Sequence, residues 1–456
     1  MSSAGDAAYI AFSAISIVVL KTLNEIVTEP YMDEPFHIPQ AQAYCEGHFD
    51  VWDPKITTPP GLYILSLILK QVFRLKCNVP MLRLTPLLTL LALPLVLTRL
   101  LYYHQRERPR SSILVPSFDA VVLSTFPIAW FFGFLYYTEL PSLVSVVLTV
   151  VFASQNRHWL AALLGAISCT FRQTNIVWVL YAYASSQLMF LRFHRKTHLA
   201  TLHDPPALTS QPGDLLKALL SAPRVVPQIL PAFLPYCLVL VGFFGFVIWN
   251  VGIVLGDKSN HVPAFHVPQV YYFIGFATLF GWPALLSGSD TVLNLVREVR
   301  KRMFGSTRNT MFTGLVCIIM AVTIRKFTIH HPFLLADNRH YTFYIWRRVF
   351  MAHPVVPYLL IPGYLACAWA WYIRIGQDQT LLQNLLVPVF LVPTLLPTPL
   401  LEPRYFLIPY VLLRAQIVDV TFGGLVVEGL WYGVINAATM YVFLFQERAG
   451  VGRFMW

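Results

Sequence analysis

The sequence predicts an all-α polytopic membrane protein, on three observations. Hydrophobic residues make up 56% of the 456 residues and charged residues only 12%, half the ~25% that solvates an ordinary soluble domain. Mean hydropathy is +0.59, and apolar runs of span length recur along the chain. Basic residues gather in a few loops and acids in another, the sorting that membrane insertion produces. These observations exclude a disordered chain, a coiled coil, a disulfide scaffold and a soluble dinucleotide-binding enzyme. The net charge of +11 fits basic loops beside anionic headgroups, and no aromatic-interleaved basic patch points to nucleic acid. The six cysteines include no CxxC pair, so no zinc knuckle or redox motif is present. No N-x-S/T sequon marks a side of the membrane.

The run over 9–27 lacks a basic leader and a small-residue cleavage site, so it reads as a retained first span. The stretch 28–59 after it holds Glu29, Asp33, Glu34, Glu46, Asp50 and Asp53 against Lys55 alone. Three later segments have the opposite balance: Arg106, Arg108 and Arg110 against Glu107, then 192–224, then 290–308, the last two each with five Lys/Arg and two acids. The positive-inside rule makes those three cytoplasmic and the acidic loop non-cytoplasmic. The run from Gly61 to Leu75 is about fifteen residues, interrupted by Lys70, and reads as an interfacial helix rather than a span. The expected spans are then 9–27, 82–103, 118–136, 140–154, 159–171, 176–191, 229–255, 267–288, 310–328, 349–373, 381–397, 405–422 and 428–446. That is about twelve or thirteen in one membrane domain over 1–456, with a first loop at 28–80 and a cytoplasmic loop at 192–224. No internal repeat of the kind many transporters carry is visible.

This topology puts the polar clusters on the non-cytoplasmic face. Asp33 and Glu34 are adjacent carboxylates at a membrane boundary, where desolvation is costly and function a fair default. In a helical turn Asp33 and His37 share a face; the structural alternative is a helix cap with Pro35 in the first turn. Trp52 to Gly61 reads as a rigid extended lead into the interfacial helix. Arg172 lies at a span junction with no acid beside it in sequence, placed to bind a lipid phosphate or to snorkel. Gly256 to His261 has turn composition, and its GK[ST]-like look lacks the spacing of a nucleotide loop. Asp337 to Tyr341 with Arg347 is the densest run, and a helix there brings Arg339 and Arg347 near one face. Guanidinium groups beside a bilayer clamp phosphates, the competing reading being salt bridges to Asp337 or Glu402. Together these ask for one base that deprotonates a hydroxyl and cations that stabilise a departing lipid phosphate. A proton-coupled transporter would place its charges mid-span.

The segments 31–42 (YMDEPFHIPQAQ), 52–63 (WDPKITTPPGLY), 171–175 (FRQTN), 256–261 (GDKSNH), 334–344 (LLADNRHYTFY) and 401–406 (LEPRYF) resemble the dolichyl-phosphate-glucose α-1,2-glucosyltransferase family of the endoplasmic reticulum. The resemblance runs from about residue 9 to the closing Arg-Phe-Met-Trp; Pro35 and Pro59 stand where the family carries bulky apolar residues. It implies a GT-C type bundle in a multi-pass endoplasmic reticulum protein whose active site faces the lumen. It further implies dolichyl phosphate β-D-glucose as donor, and a diglucosylated dolichyl-diphosphate oligosaccharide of N-glycan precursor assembly as acceptor. A β donor and an α-1,2 product mean inversion, with one base. By this resemblance the base is Asp33, with Glu34 as alternative. The phosphate candidates are Arg172, Lys258, His261, Arg339, His340 and Arg404. Further substrate contacts fall on His37, Gln40, Trp52, Asp53, Glu139, Asn175, Asp337, Asn338, Tyr341 and Glu402. No metal or other cofactor is expected, the partners being the two lipid-linked substrates and the membrane itself. Cys45 and Cys77 would both be luminal, where a disulfide can form. The alternatives are a sister mannosyltransferase and a polyprenyl-lipid or proton-coupled transporter.

Overall fold

The computed structural model describes residues 2–107, 115–193, 201–258, 262–288 and 292–456. Among them there is no β-strand, and helix packs on helix throughout. Among the described residues seven helices are long and apolar enough to cross a membrane: Ala4–Ile26, Val79–Gln105, Gln173–Phe193, Pro212–Asn250, Thr307–Phe327, Val356–Gly376 and Phe422–Phe445. Four shorter apolar helices accompany them, Gly61–Phe73, Glu139–Ser154, His158–Phe171 and Leu381–Leu395.

Fewer helices reach span length than the twelve or thirteen the sequence predicts, and the differences have local causes. The run 118–136 divides into Phe118–Ser124 and Pro127–Phe132, because Pro127 supplies no N–H to continue a helix and instead starts one. The run 405–422 is a tight turn at Pro403–Phe406 followed by the eight-residue helix Leu407–Arg414. The expected loop 192–224 is also partly helical, since Pro212–Asn250 runs unbroken for 39 residues. At 1.5 Å per residue that is ~58 Å, well beyond a ~30 Å hydrocarbon layer. Before Pro212 the chain is pinned rather than loose: Ala207 N–H donates to Gln379 O (3.1 Å) and Leu381 N–H to Pro205 O (2.9 Å).

Contacts divide the chain into two compact units. The first comprises Met1–Phe190, Pro227–Val262 and Ile435–Met440. Its centre is the packing of Leu84–Gln105 on Glu139–Ser154, and of that helix on His158–Phe171, with Leu90, Leu97, Leu143 and Val147 fully buried. The first loop folds onto helix ends at Leu82 and Phe171 and onto Tyr136 in the bend before Glu139–Ser154. There its two helices, Glu34–Glu46 and Gly61–Phe73, bury Ile38, Ala41, Tyr44, Leu62 and Tyr63 in a core of their own. Gly61–Phe73 has 13 residues, ~20 Å of helix, too short to span, as expected from its sequence. Its N-terminus needs glycine: a Cβ on Gly61 would lie 2.4 Å from Thr170 Oγ1 and 2.6 Å from Thr170 O. A disulfide joins Cys45 to Cys77. Lys70 Nζ donates to Cys45 O (2.5 Å), satisfying a carbonyl at the C-terminal end of the Glu34–Glu46 helix.

The second unit comprises Leu191–Val226, Pro263–Val434 and Tyr441–Trp456. Pro268–Leu285 and Val292–Phe304 both pack on Ile361–Gly376. A buried network ties Leu407–Arg414 to Phe422–Phe445. Arg414 forks onto Glu428 at 2.8 and 2.7 Å, both side chains fully buried, and Tyr432 OH donates to Glu428 Oε1 at 3.0 Å. Charges this deep persist only when paired and fully hydrogen-bonded.

Candidate active site

Within the first unit, five of the polar clusters come together. Asp33 stands at the N-cap of Glu34–Glu46 with Pro35 in the first turn, as the capping reading predicts, but its side chain makes no capping bond. Its backbone N–H donates to Tyr137 OH (3.0 Å), and the Asp33 side chain is half-buried. His37 N–H reaches Asp33 O (3.2 Å), so the two residues lie one turn apart, as expected. His37 Nδ1 pairs with Tyr63 OH at 2.6 Å.

Glu34 has a different environment. Its side chain is fully buried, and Arg83, also fully buried, forks onto it: Nε to Oε1 at 2.9 Å and Nη2 to Oε2 at 2.6 Å. Oε1 also accepts from Tyr136 N–H (2.8 Å) and Oε2 from Tyr31 N–H (3.0 Å). Arg83 in turn donates to Asn24 Oδ1, Val27 O and Glu29 O. Both carboxylate oxygens are thus engaged in joining the first loop to the bundle. Arg83 carries no role in the sequence reading, although a cation inside an apolar run was the available signal.

The Trp52–Gly61 segment is held from three sides. Gln40 Nε2 donates to Val51 O (2.7 Å) and its Oε1 accepts from Asp53 N–H (2.8 Å). Gln173 Nε2 donates to Thr57 O (2.8 Å). From the third side, Leu255 N–H reaches Thr57 O (3.2 Å) and Asp257 N–H reaches Pro54 O (2.7 Å). Gly256 makes this last approach feasible: its φ is +63°, and a Cβ would fall 2.2 Å from Pro54 O. Lys258 is exposed and donates to Asn250 O. His261, with Ser259 and Asn260, lies outside the described residues.

Arg172 is ion-paired with Glu139, an acid distant in sequence, so the lack of a neighbouring acid did not mean the lack of a partner. Asn175 is buried, its Nδ2 donating to Ser142 Oγ (2.7 Å) and Ser168 O (2.8 Å), which makes it a tie between helices. Beside these segments lies an open apolar groove of about 920 Å³. Trp52, Pro59 and Pro60 line it from the first loop, Gln173 and Gly256 from the other two clusters, and Leu163, Leu238 and Phe246 from the helices.

Within the second unit, Asp337 receives Arg339 through Nε (2.9 Å to Oδ1) and Nη2 (2.6 Å to Oδ2), and His340 Nε2 lies 3.7 Å from Oδ2. Burial alone would raise the Asp337 pKa, but the side-chain and backbone hydrogen bonds from Arg339 outweigh it and hold the carboxyl below its usual value. Arg404 pairs with Glu402 at 2.8 Å. The Arg339–Asp337 pair is the salt bridge of the competing sequence reading, and both pairs leave the guanidinium partly exposed. Asn338 is exposed and Tyr341 half-buried. Arg339 and Arg347 do not share a helix face as predicted, because His340 is extended (φ −107°, ψ 145°) and the helix begins at Tyr341. Arg347 instead lies over the Phe343 ring at 5.8 Å.

Fold and clusters define a polytopic helical membrane protein that presents carboxylates and cations on folded loops, with an apolar groove beside those of the first unit. The DIE2/ALG10 family model matches residues 27–415, and the chain belongs to that family. It is 36% identical over 469 residues to the rat (Rattus norvegicus) Dol-P-Glc:Glc(2)Man(9)GlcNAc(2)-PP-Dol alpha-1,2-glucosyltransferase, covering 97% of this chain and 96% of that one. The mouse (Mus musculus) protein of the same name is 37% identical over 470 residues, with the same coverage. The Arabidopsis thaliana one is 33% identical over 521 residues, covering 99% of this chain and all of that one. No solved structure matches this chain.

Proposed function

We propose that this protein transfers glucose from dolichyl phosphate β-D-glucose to a diglucosylated dolichyl-diphosphate oligosaccharide, in the endoplasmic reticulum membrane and on its luminal side. The product is the terminal α-1,2-linked glucose. Near-full-length similarity to relatives of that name supports the reading. The structural observation that carries it is the apolar groove meeting the Trp52, Gln173 and Gly256 segments, which suits a polyprenyl tail whose phosphate lies near Arg172 and Lys258.

In this reading Asp33 takes the proton from the acceptor glucose 2-hydroxyl. That oxygen attacks C1 of the donor glucose from the face opposite the phosphate. The C1–O bond breaks, its electron pair leaves with dolichyl phosphate, and the β configuration inverts to α. Asp33 is favoured over Glu34 because it is half-buried, whereas Glu34 is fully buried with both oxygens committed to Arg83 and to two backbone donors. The cations supply the charge the leaving phosphate needs, so the reading calls on no metal. Arg339, His340 and Arg404 are assigned to a lipid phosphate of one of the two substrates.

The test uses purified protein in detergent with a dolichyl-phosphate-glucose analogue and a diglucosylated lipid-linked acceptor. A gain of one hexose by the wild type and none by Asp33→Asn supports both reaction and base. Transfer by both moves the base elsewhere. Transfer by neither, with the acceptor used by a control glucosyltransferase, overturns the substrate assignment and favours the mannosyltransferase or transporter readings.

A further inference from the structure

The last residues of the chain fold back onto the Asp337–His340 segment. After Phe422–Phe445 a turn forms, with Arg448 N–H on Gly452 O (3.1 Å) and Gly452 N–H on Arg448 O (2.9 Å). Arg453 fixes the return: its Nη1 donates to Phe443 O (3.1 Å) and Leu444 O (2.7 Å), and its Nη2 meets Glu447 at 2.7 Å. Phe454–Trp456 then runs parallel to residues 339–341. Met455 N–H donates to Arg339 O (2.8 Å) and Tyr341 N–H to Met455 O (3.3 Å). Tyr341 is held between the rings of Phe454 and Trp456, at centroid distances of 4.4 and 4.8 Å, and Trp456 also meets Phe280 at 6.0 Å.

One contact bears on chemistry. His340 Nδ1 lies 2.6 Å from the main-chain oxygen of Trp456. That oxygen only accepts, so Nδ1 donates to it, and in the imidazolium form Nε2–H is the second donor, turned toward Asp337 or a phosphate oxygen. The docked segment therefore adds a bond to the backbone of Arg339 and sets the ring direction of His340. Within the 337–340 segment Asp337 Oδ1 already accepts from Arg339 N–H (2.9 Å), but no helix or strand there holds the His340 ring.

We infer that Phe454–Trp456 are positioning residues for a lipid-phosphate site at Arg339 and His340. This rests on the reading of those two cations as phosphate-binding. The phosphate belongs either to the donor monophosphate lipid or to the acceptor diphosphate lipid, and the kinetics distinguish them. Trp456 acts by anchoring the segment through its ring, so that its main-chain oxygen stays on His340.

The experiment measures KM for donor and for acceptor, with kcat, in the purified full chain carrying Trp456→Ala, Trp456→Phe or Arg339→Gln. Trp456→Ala is expected to raise one KM about tenfold, the other KM and kcat staying within about twofold. Arg339→Gln raises the same KM, which names the lipid. Trp456→Phe keeps a ring against Tyr341 and stays within about twofold of wild type. If Arg339→Gln raises a KM but folded Trp456→Ala raises neither, the inference fails and the phosphate reading stands. If Arg339→Gln leaves both KM values unchanged, the phosphate reading itself fails. A fall in kcat with a parallel rise in both KM values in Trp456→Ala, or a loss in Trp456→Phe as large as in Trp456→Ala, also overturns the inference. Should Trp456→Ala not yield folded protein, Phe454→Leu, which trims the ring at 4.4 Å from Tyr341, carries the same readouts.

Discussion

Substituting Glu34 should damage the fold before it damages the chemistry. Arg83 and Glu34 are both fully buried and exchange two charge-assisted hydrogen bonds. Glu34→Gln keeps an oxygen for Tyr136 N–H but removes the charge opposite a guanidinium that has no route to water. Removing one partner of a buried pair typically costs ~3–5 kcal/mol, most of it the uncompensated charge left behind. The retained oxygen places the expected loss near the lower end, about 3 kcal/mol. That is a large share of the ~5–15 kcal/mol that stabilises a typical domain. Asp33→Asn is a near-isosteric change at a half-buried position and should cost less than Glu34→Gln, about 1 kcal/mol. The assay follows the folded fraction after heating in detergent, by size-exclusion chromatography, with turnover measured on the surviving protein. Glu34→Gln and Arg83→Met should both melt well below wild type, while Asp33→Asn melts near it with turnover down on the order of 100-fold or more. A Glu34→Gln protein that melts like wild type but transfers no glucose would refute the argument and make Glu34 the base.

Three further outcomes are expected. Cys45→Ser opens the disulfide whose cysteines are 32 residues apart, costing ~2–4 kcal/mol; reductant should lower the wild-type melting point similarly and leave the variant unmoved. Gly256→Ala puts a methyl 2.2 Å from Pro54 O at a φ of +63°; the strain of ~1–3 kcal/mol should loosen the Trp52–Gly61 segment, seen as faster protease cleavage there. Asp337 has a lowered carboxyl pKa in the fold, so its stabilisation is complete above the usual 3.8 and is lost only as pH falls through the lower folded value. The melting difference between wild type and Asp337→Asn should thus hold steady from about pH 7 to about pH 5, and its disappearance by about pH 6 would contradict the sign.

The membrane class was legible because it depends on composition and run length, which every residue reports independently. So was the short helix starting at Gly61, since Lys70 and thirteen residues do not make a span. Legibility failed where apolar runs do not continue as helix: the run 118–136 breaks at Pro127, and the run 405–422 is helical only over Leu407–Arg414. It failed again at pairings between distant residues. Arg172 has no acid beside it in sequence, yet Glu139 lies against it, and Arg83 has no motif around it, yet it anchors the first loop.

By itself the sequence determined the solvent of this protein, its helical class and which residue types are set aside for chemistry, because hydropathy and side-chain chemistry are local properties. The segments 31–42, 52–63 and 171–175 were each visible as unusual and as lying on one face of the membrane, but the contacts between them were not. Only the tertiary structure decided which of two adjacent acids is committed to a buried guanidinium, that Cys45 meets Cys77, and that Phe454–Trp456 closes on Arg339 and His340. These are contacts between residues 32 to 116 positions apart. No local preference encodes them, because they arise when packed helices bring chain ends and loops together and buried charge and hydrogen-bonding groups must find partners.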